Sequence, residues 1–179
     1  GGADAGLKLA QFAKCGAPDN AGMQLMGVDF TCAPTRRKAI VVARGHLRGA
    51  VVQLERLSEI HTLEGFEALL HEAGPWLGAF DFPFGLPREF VTSLSLGATT
   101  AEVSRELHRR CATRMEFRAL VDAWGNARAP GQRLIHRCTD TAVHGVSSTS
   151  PLQTRYVPVG FMYFEGVERL LRCGTTMVS

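Results

Sequence analysis

The run Trp76-Leu-Gly-Ala-Phe80 is apolar without interruption, and it ends on Asp81, followed by Phe-Pro-Phe-Gly-Leu-Pro (82–87). Gly74-Pro75 bounds it in front and Pro83, Gly85 and Pro87 bound it behind. A run this short and this heavily punctuated reads as a strand, and its continuous hydrophobicity marks an interior strand buried on both faces. The charge that closes it needs a reason, because burying an unpartnered carboxylate costs several kcal/mol or forces its protonation.

The other segments order themselves around this strand. Met23 to Phe30 reads as a buried strand, Lys38 to Gly45 as a second with a turn near Gly45, and His46 to Leu57 as a third. Short connections make these three antiparallel neighbours. A helix follows, with Thr62 as N-cap and Leu63, Phe66, Leu69, Leu70 and Ala73 as its apolar stripe. Trp76 to Phe82 is the fourth strand. Pro87 suits the first turn of a short helix reaching Leu96. Thr99 and Glu102 form a capping-box pattern that opens a long helix to Trp124. Residues 125–157 are irregular, and Pro158 to Cys173 reads as a closing helix. Residues 1–22 read as a leader, a disordered stretch or a short helix (Leu7, Leu9, Ala10, Phe12 and Ala13 its apolar positions), and 23–179 as one domain.

At 179 residues, 45% hydrophobic and 21% charged, the chain suits a soluble globular domain, and no apolar run approaches the ~20 residues of a membrane helix. Cys15, Cys32, Cys111, Cys138 and Cys173 form an odd set without a C-x-x-C pair, which argues against a disulfide framework or a zinc site and for a reducing, cytoplasmic setting. The histidines show no metal-ligand spacing; His46 falls in the expected hairpin turn. Ser147, Ser148 and Ser150 near His144 lack a G-x-S-x-G elbow.

The order of three antiparallel strands, a helix and a fourth strand permits a right-handed crossover that pairs the fourth strand in parallel with the first. Asp29 ends the first and Asp81 the fourth, so both carboxylates reach the sheet edge where ligands of open α/β sheets bind. Two carboxylates there repel unless they share a cation, and Mg²⁺ is suited to one or two carboxylates, water and substrate phosphate. The competing reading is that each aspartate bonds backbone N–H groups of a turn. Arginines supply candidate phosphate contacts: Arg36 and Arg37 beside Lys38, Arg137, and Arg110, Arg114 and Arg118, whose spacing would align them along one helix face. Glu102, Glu106 and Glu116 would balance such a face if it is only a solvated surface. The alternating Phe80, Phe82 and Phe84 could stack bases or pack in a core.

At these residues the sequence resembles a known family. The segments MGVDFTCAPTRRKAIVVA (26–43) and FDFPFGLP (80–87) are similar to the uncharacterised proteins grouped as domain of unknown function 429, described as nuclease-like with a ribonuclease H-like fold. The resemblance spans roughly Met26 to Leu171. It implies a ribonuclease H-like mixed α/β sheet with helices on its faces, and Asp29 and Asp81 as its first- and fourth-strand metal-binding acids, holding Mg²⁺ or Mn²⁺. It offers Asp140 as a further catalytic acid, and Glu64 or Glu67 in the place of a first-helix metal-binding glutamate. The family continues into a strand with an E-x-Y-P-like motif; none precedes Ser179, so the domain either continues past that residue or lacks the acid. The function implied is divalent-metal-dependent nucleic-acid hydrolysis, or alternatively a non-catalytic nucleic-acid- or nucleotide-binding module on the same fold.

Overall fold

A computed structural model of the chain describes residues 11–15, 23–142 and 148–178. The protein is a mixed α/β structure. Its residues divide into two compact units: a sheet unit of 10–82 with 169–179, and a helical unit that includes 83–168.

The sheet unit contains six strands: β1 (Gln11–Cys15), β2 (Gln24–Asp29), β3 (Ile40–Arg48), β4 (Val51–Ile60), β5 (Trp76–Phe80) and β6 (Thr176–Val178), in the spatial order β4-β3-β2-β5-β1-β6. The expected antiparallel trio is present as β2, β3 and β4. β5 pairs in parallel with β2, from Gln24↔Trp76 to Val28↔Phe80. Helix α1 (Leu63–Leu70) makes the crossover, capped as expected by Thr62, whose hydroxyl accepts the Gly65 N–H at 3.0 Å. It ends at Leu70, with His71 as C-cap, before the glycine-proline pair.

One face of the sheet carries the core. Val28, Phe80, Ile40 and Val42 are buried, with Phe66 of α1 fully covered. Phe30 packs on Phe66 and on Phe82 at 4.9 Å between ring centroids in both cases. Phe82 also meets Phe80 at 5.5 Å. Three of the four aromatic residues come from the two strand ends that carry the aspartates. On the other face, Leu25, Gly27, Ala43, Leu54, Leu77 and Ala79 line an apolar groove of about 290 Å³.

Two expectations in this unit are corrected. Gln11–Cys15 lies within the stretch read as a leader or helix, yet it is a strand between β5 and β6, with Phe12 paired to both Ala79 and Val178. Its local apolar spacing is compatible with either element, and long-range pairing decides. The remaining residues of 1–22 lie outside the described residues. The hairpin between β3 and β4 also turns later than expected. Gly45 sits inside β3 at a bulge, and a Cβ there would come within 2.3 Å of the Gln53 carbonyl oxygen. The turn falls at Gly49, whose φ of +60° suits a residue without a side chain. His46 is therefore a strand residue, 2.9 Å from Glu55.

The helical unit holds α2 (Arg88–Ser93), α3 (Thr100–Arg110), α4 (Arg114–Asn126), a 3₁₀ turn (Cys138–Asp140) and most of α5 (Val159–Arg172). Helix α2 stops three residues short of Leu96, where Ser95 takes a positive φ of 51°. The single long helix to Trp124 is corrected to two. Cys111 is extended, and Thr113 caps α4 by accepting the Glu116 N–H at 3.2 Å while Glu116 bonds the Ala112 N–H at 2.6 Å. This repeats the Thr99–Glu102 box that opens α3. A second cap restarts the helix without any glycine or proline to announce the break. Arg110 and Arg114 consequently lie on different helices, and the expected row of Arg110, Arg114 and Arg118 along one helix face does not exist.

Candidate active site at the end of the parallel strand pair

The two aspartates are placed by the register of β2 and β5. Val28 faces Phe80, so Asp29 and Asp81 are the next residues on neighbouring parallel strands, about 4.8 Å apart as backbones. Pairing continues past the last ladder position: the Asp81 N–H donates to the Val28 carbonyl oxygen at 3.3 Å. Alternation along each strand puts both aspartates opposite the face that buries Val28 and Phe80. Asp29 is exposed and Asp81 half-buried.

Asp81 has a definite structural duty. Its Oδ1 accepts the Phe30 N–H at 2.8 Å, bonding the end of β5 to the residue that follows Asp29. The bond runs across the strand pair, not within the turn that follows Asp81, so it differs from the local turn-bonding reading, and it ties the end of β5 to the end of β2. The donor set suits Mg²⁺ or Mn²⁺, which take one or two carboxylates and complete their shell with water and phosphate oxygen.

The register reveals an acid that sequence reasoning passed over. Asp29 pairs with Val41, and Val41 with Glu59 of β4, so Glu59 belongs to the same cross-strand row. Its strand lies two away from Asp29, about 10 Å across the sheet, too far for the close sharing open to Asp29 and Asp81. The signal was the length of the third strand, which continues to Ile60 instead of ending near Leu57. Among the described residues, no group of three or more His, Cys, Asp or Glu side chains is placed to hold a metal ion.

The remaining candidates fall in several places. Glu64 is exposed in the first turn of α1. Glu67 is engaged by Arg169 at 3.1 Å and by Arg172 at 3.7 Å. Asp140, in the helical unit, is only 3% exposed. Its Oδ1 takes Arg137 Nη2 at 2.6 Å and its Oδ2 the Arg137 N–H at 2.7 Å. Arg137 also reaches the Gly85 carbonyl at 3.4 Å. This pair closes a turn on itself. Ser148 lies 3.5 Å from the same carboxylate, and Ser150 bonds the Ile135 carbonyl at 2.6 Å. Val143 to Ser147, with His144, lies outside the described residues.

The arginines divide sharply. Arg110 bonds Glu106 at 2.7 Å, as does Arg109, and the hydrogen bonds from Arg109 and then Arg110 pull the Glu106 carboxyl down to about 2. Arg114 lies 3.4 Å from Glu165. Arg118 donates to the Thr154 carbonyl at 2.6 Å. Arg36 and Arg37, by contrast, are exposed at the tip of the β2–β3 connection, with no ionic or hydrogen-bonding partner among the described residues. Phe80, Phe82 and Phe84 are all buried, so their rings pack in the protein and are not displayed for stacking.

Comparison with protein families, curated proteins and solved structures finds no match in any of the three. No helix among the described residues is long and apolar enough to cross a membrane.

Proposed function

We propose that the protein is a ribonuclease H-like, divalent-cation-dependent phosphodiesterase that hydrolyses nucleic acid at the Asp29–Asp81 edge. One observation carries this reading: the two acids end neighbouring parallel strands one residue beyond the Val28↔Phe80 pair. Two carboxylates brought to one sheet edge repel unless a cation is shared, and a divalent ion would relieve that repulsion. Asp29 and Asp81 would hold Mg²⁺ or Mn²⁺. When bound, such an ion polarises a phosphoryl oxygen and lowers the pKa of coordinated water. The Phe30 N–H fixes the rotation of the Asp81 carboxylate, so less side-chain freedom is lost on binding.

The direct test is calorimetric titration with Mn²⁺, run beside a cleavage assay on single- and double-stranded substrates. Wild-type protein should bind the ion, and Asp29→Asn and Asp81→Asn should each weaken binding at least tenfold and abolish cleavage. Unchanged Mn²⁺ affinity in both variants would leave the aspartates as turn residues only.

A further inference from the structure

The connection from Asp29 to β3 is built as a second, smaller hairpin. Thr35 and Lys38 exchange backbone hydrogen bonds of 2.9 and 3.2 Å, leaving Arg36 and Arg37 as the corner residues. The Thr35 hydroxyl also accepts the Lys38 N–H at 3.1 Å. His61, just past β4, braces the turn from outside: its Nδ1 lies 3.3 Å from the Thr35 carbonyl oxygen, a contact that only a protonated Nδ1 can turn into a hydrogen bond. Glu59, an exposed acid near this turn, has its carboxylate 3.7 Å from His61 Nε2. A tight, braced turn thus displays three adjacent cations, Arg36, Arg37 and Lys38, all exposed.

Their position relative to the aspartates follows from the chain. Lys38 precedes Val41 by three residues, and Val41 is the register partner of Asp29. Three extended residues at about 3.3 Å each place the base of the turn roughly 10 Å beyond the Asp29 row, off the same end of the sheet. Phosphates of one strand recur every ~3.4 Å of duplex axis and lie farther apart along an extended single strand, so this offset spans at most about three nucleotides.

We propose that the Arg36–Arg37–Lys38 turn is a nucleic-acid backbone clamp that grips phosphates within about three nucleotides of the one presented to Asp29 and Asp81. The inference rests on reading those aspartates as the cleavage site, and it adds which part of the substrate is held and where. The turn recognises phosphate and no base: its cations are adjacent at a tip, where arginine forks pair with phosphate oxygens. It therefore sets a minimum substrate length without setting a sequence.

The test is fluorescence anisotropy of labelled oligothymidine with the full chain in EDTA, so that neither cleavage nor a metal contributes. The comparison is between wild type, Arg36→Ala/Arg37→Ala/Lys38→Ala, and the control Arg48→Ala/Arg56→Ala. Arg48 ends β3 at the opposite end of the sheet. Loss of three phosphate contacts should make the log–log salt dependence shallower by about 2, from ~0.7 per contact on single strands. The control should bind as wild type, and dithymidylate should bind far more weakly than the longer strand. An unchanged salt slope in the triple variant, equal affinity for dithymidylate, or no oligonucleotide binding by wild type would each overturn the clamp. Mn²⁺ titration of the same triple variant separates this result from the metal reading: its affinity should equal wild type, and a failure of Mn²⁺ to bind any form would count against the aspartate site alone.

Discussion

Asp81 and Asp29 look equivalent as residues that end strands, yet truncating them should have very different costs. The Asp81 carboxylate accepts the Phe30 N–H at 2.8 Å, and Phe30 is 3% exposed. A hydrogen bond to a charged group contributes about 1.5–3 kcal/mol net, and an orphaned buried donor costs about 1–3 kcal/mol. Asp81→Ala should therefore destabilise the sheet unit by about 2–3 kcal/mol. Asp81→Asn keeps an acceptor oxygen without the charge, and since charge-assisted bonds are roughly twice as strong as neutral ones it should cost about 1 kcal/mol. Asp29 is exposed and pairs with nothing among the described side chains, so Asp29→Ala should fall within about 0.5 kcal/mol of wild type. The assay is urea unfolding followed by Trp76, one of the protein's two tryptophans, in a Trp124→Phe background so that the signal reports the sheet unit alone. With a urea m-value of about 2 kcal/mol/M, Asp81→Ala should move the midpoint down by roughly 1 M and Asp29→Ala hardly at all. Mn²⁺ at a hundredfold excess over its Kd should then add about 2.7 kcal/mol to wild type and little to either aspartate variant. Equal midpoint shifts for Asp81→Ala and Asp29→Ala would refute the reasoning, because the Phe30 bond could not then be holding the two strand ends together.

Two further outcomes test the helical unit. Asp140→Ala should destabilise it by about 3 kcal/mol, the cost of leaving a largely buried Arg137 without its partner, as read from Trp124 fluorescence, while Mn²⁺ affinity stays at the wild-type value. Glu106 has its carboxyl held at about 2 by Arg109 and Arg110 against an ordinary 4.5, so its contribution is fully present above pH 4.5 and is lost as pH falls from there towards 2. Circular dichroism of wild type against Glu106→Gln should show the variant losing less helix across that acid limb, and identical acid profiles would remove Glu106 from the account.

The central pairing was legible because it depends on patterns that the chain displays locally. Trp76–Phe80 is too apolar for an edge strand, the three earlier segments are joined too tightly to be anything but antiparallel, and one amphipathic helix lies between. The break at Cys111–Thr113 was displayed as well, since Thr113 and Glu116 repeat the spacing of Thr99 and Glu102. It was hidden by the strong helix formers on either side and by the lack of glycine or proline. Gln11–Cys15 was not legible at all, because five residues with mixed spacing become a strand only when β5 and β6 supply hydrogen-bond partners from distant sequence.

The arginines show why a candidate site is harder to read than a fold. In sequence, Arg110, Arg114 and Arg137 have as strong a claim on phosphate as Arg36 and Arg37. What separates them is whether a carboxylate has already been placed against each one, and that depends on tertiary geometry and helix register. Arg110 sits one turn from Glu106, Arg137 is folded onto Asp140, and Arg114 meets Glu165 from another helix. A phosphate arriving at any of these must displace a formed ion pair, so its net gain is the difference between two similar interactions. At Arg36 and Arg37 no such pair has been formed among the described residues. The number of arginines in the helical segment is therefore a poor guide to phosphate affinity, and two arginines without an ionic partner among the described residues, on a braced turn off the same end of the sheet as the aspartates, should outweigh the paired ones combined.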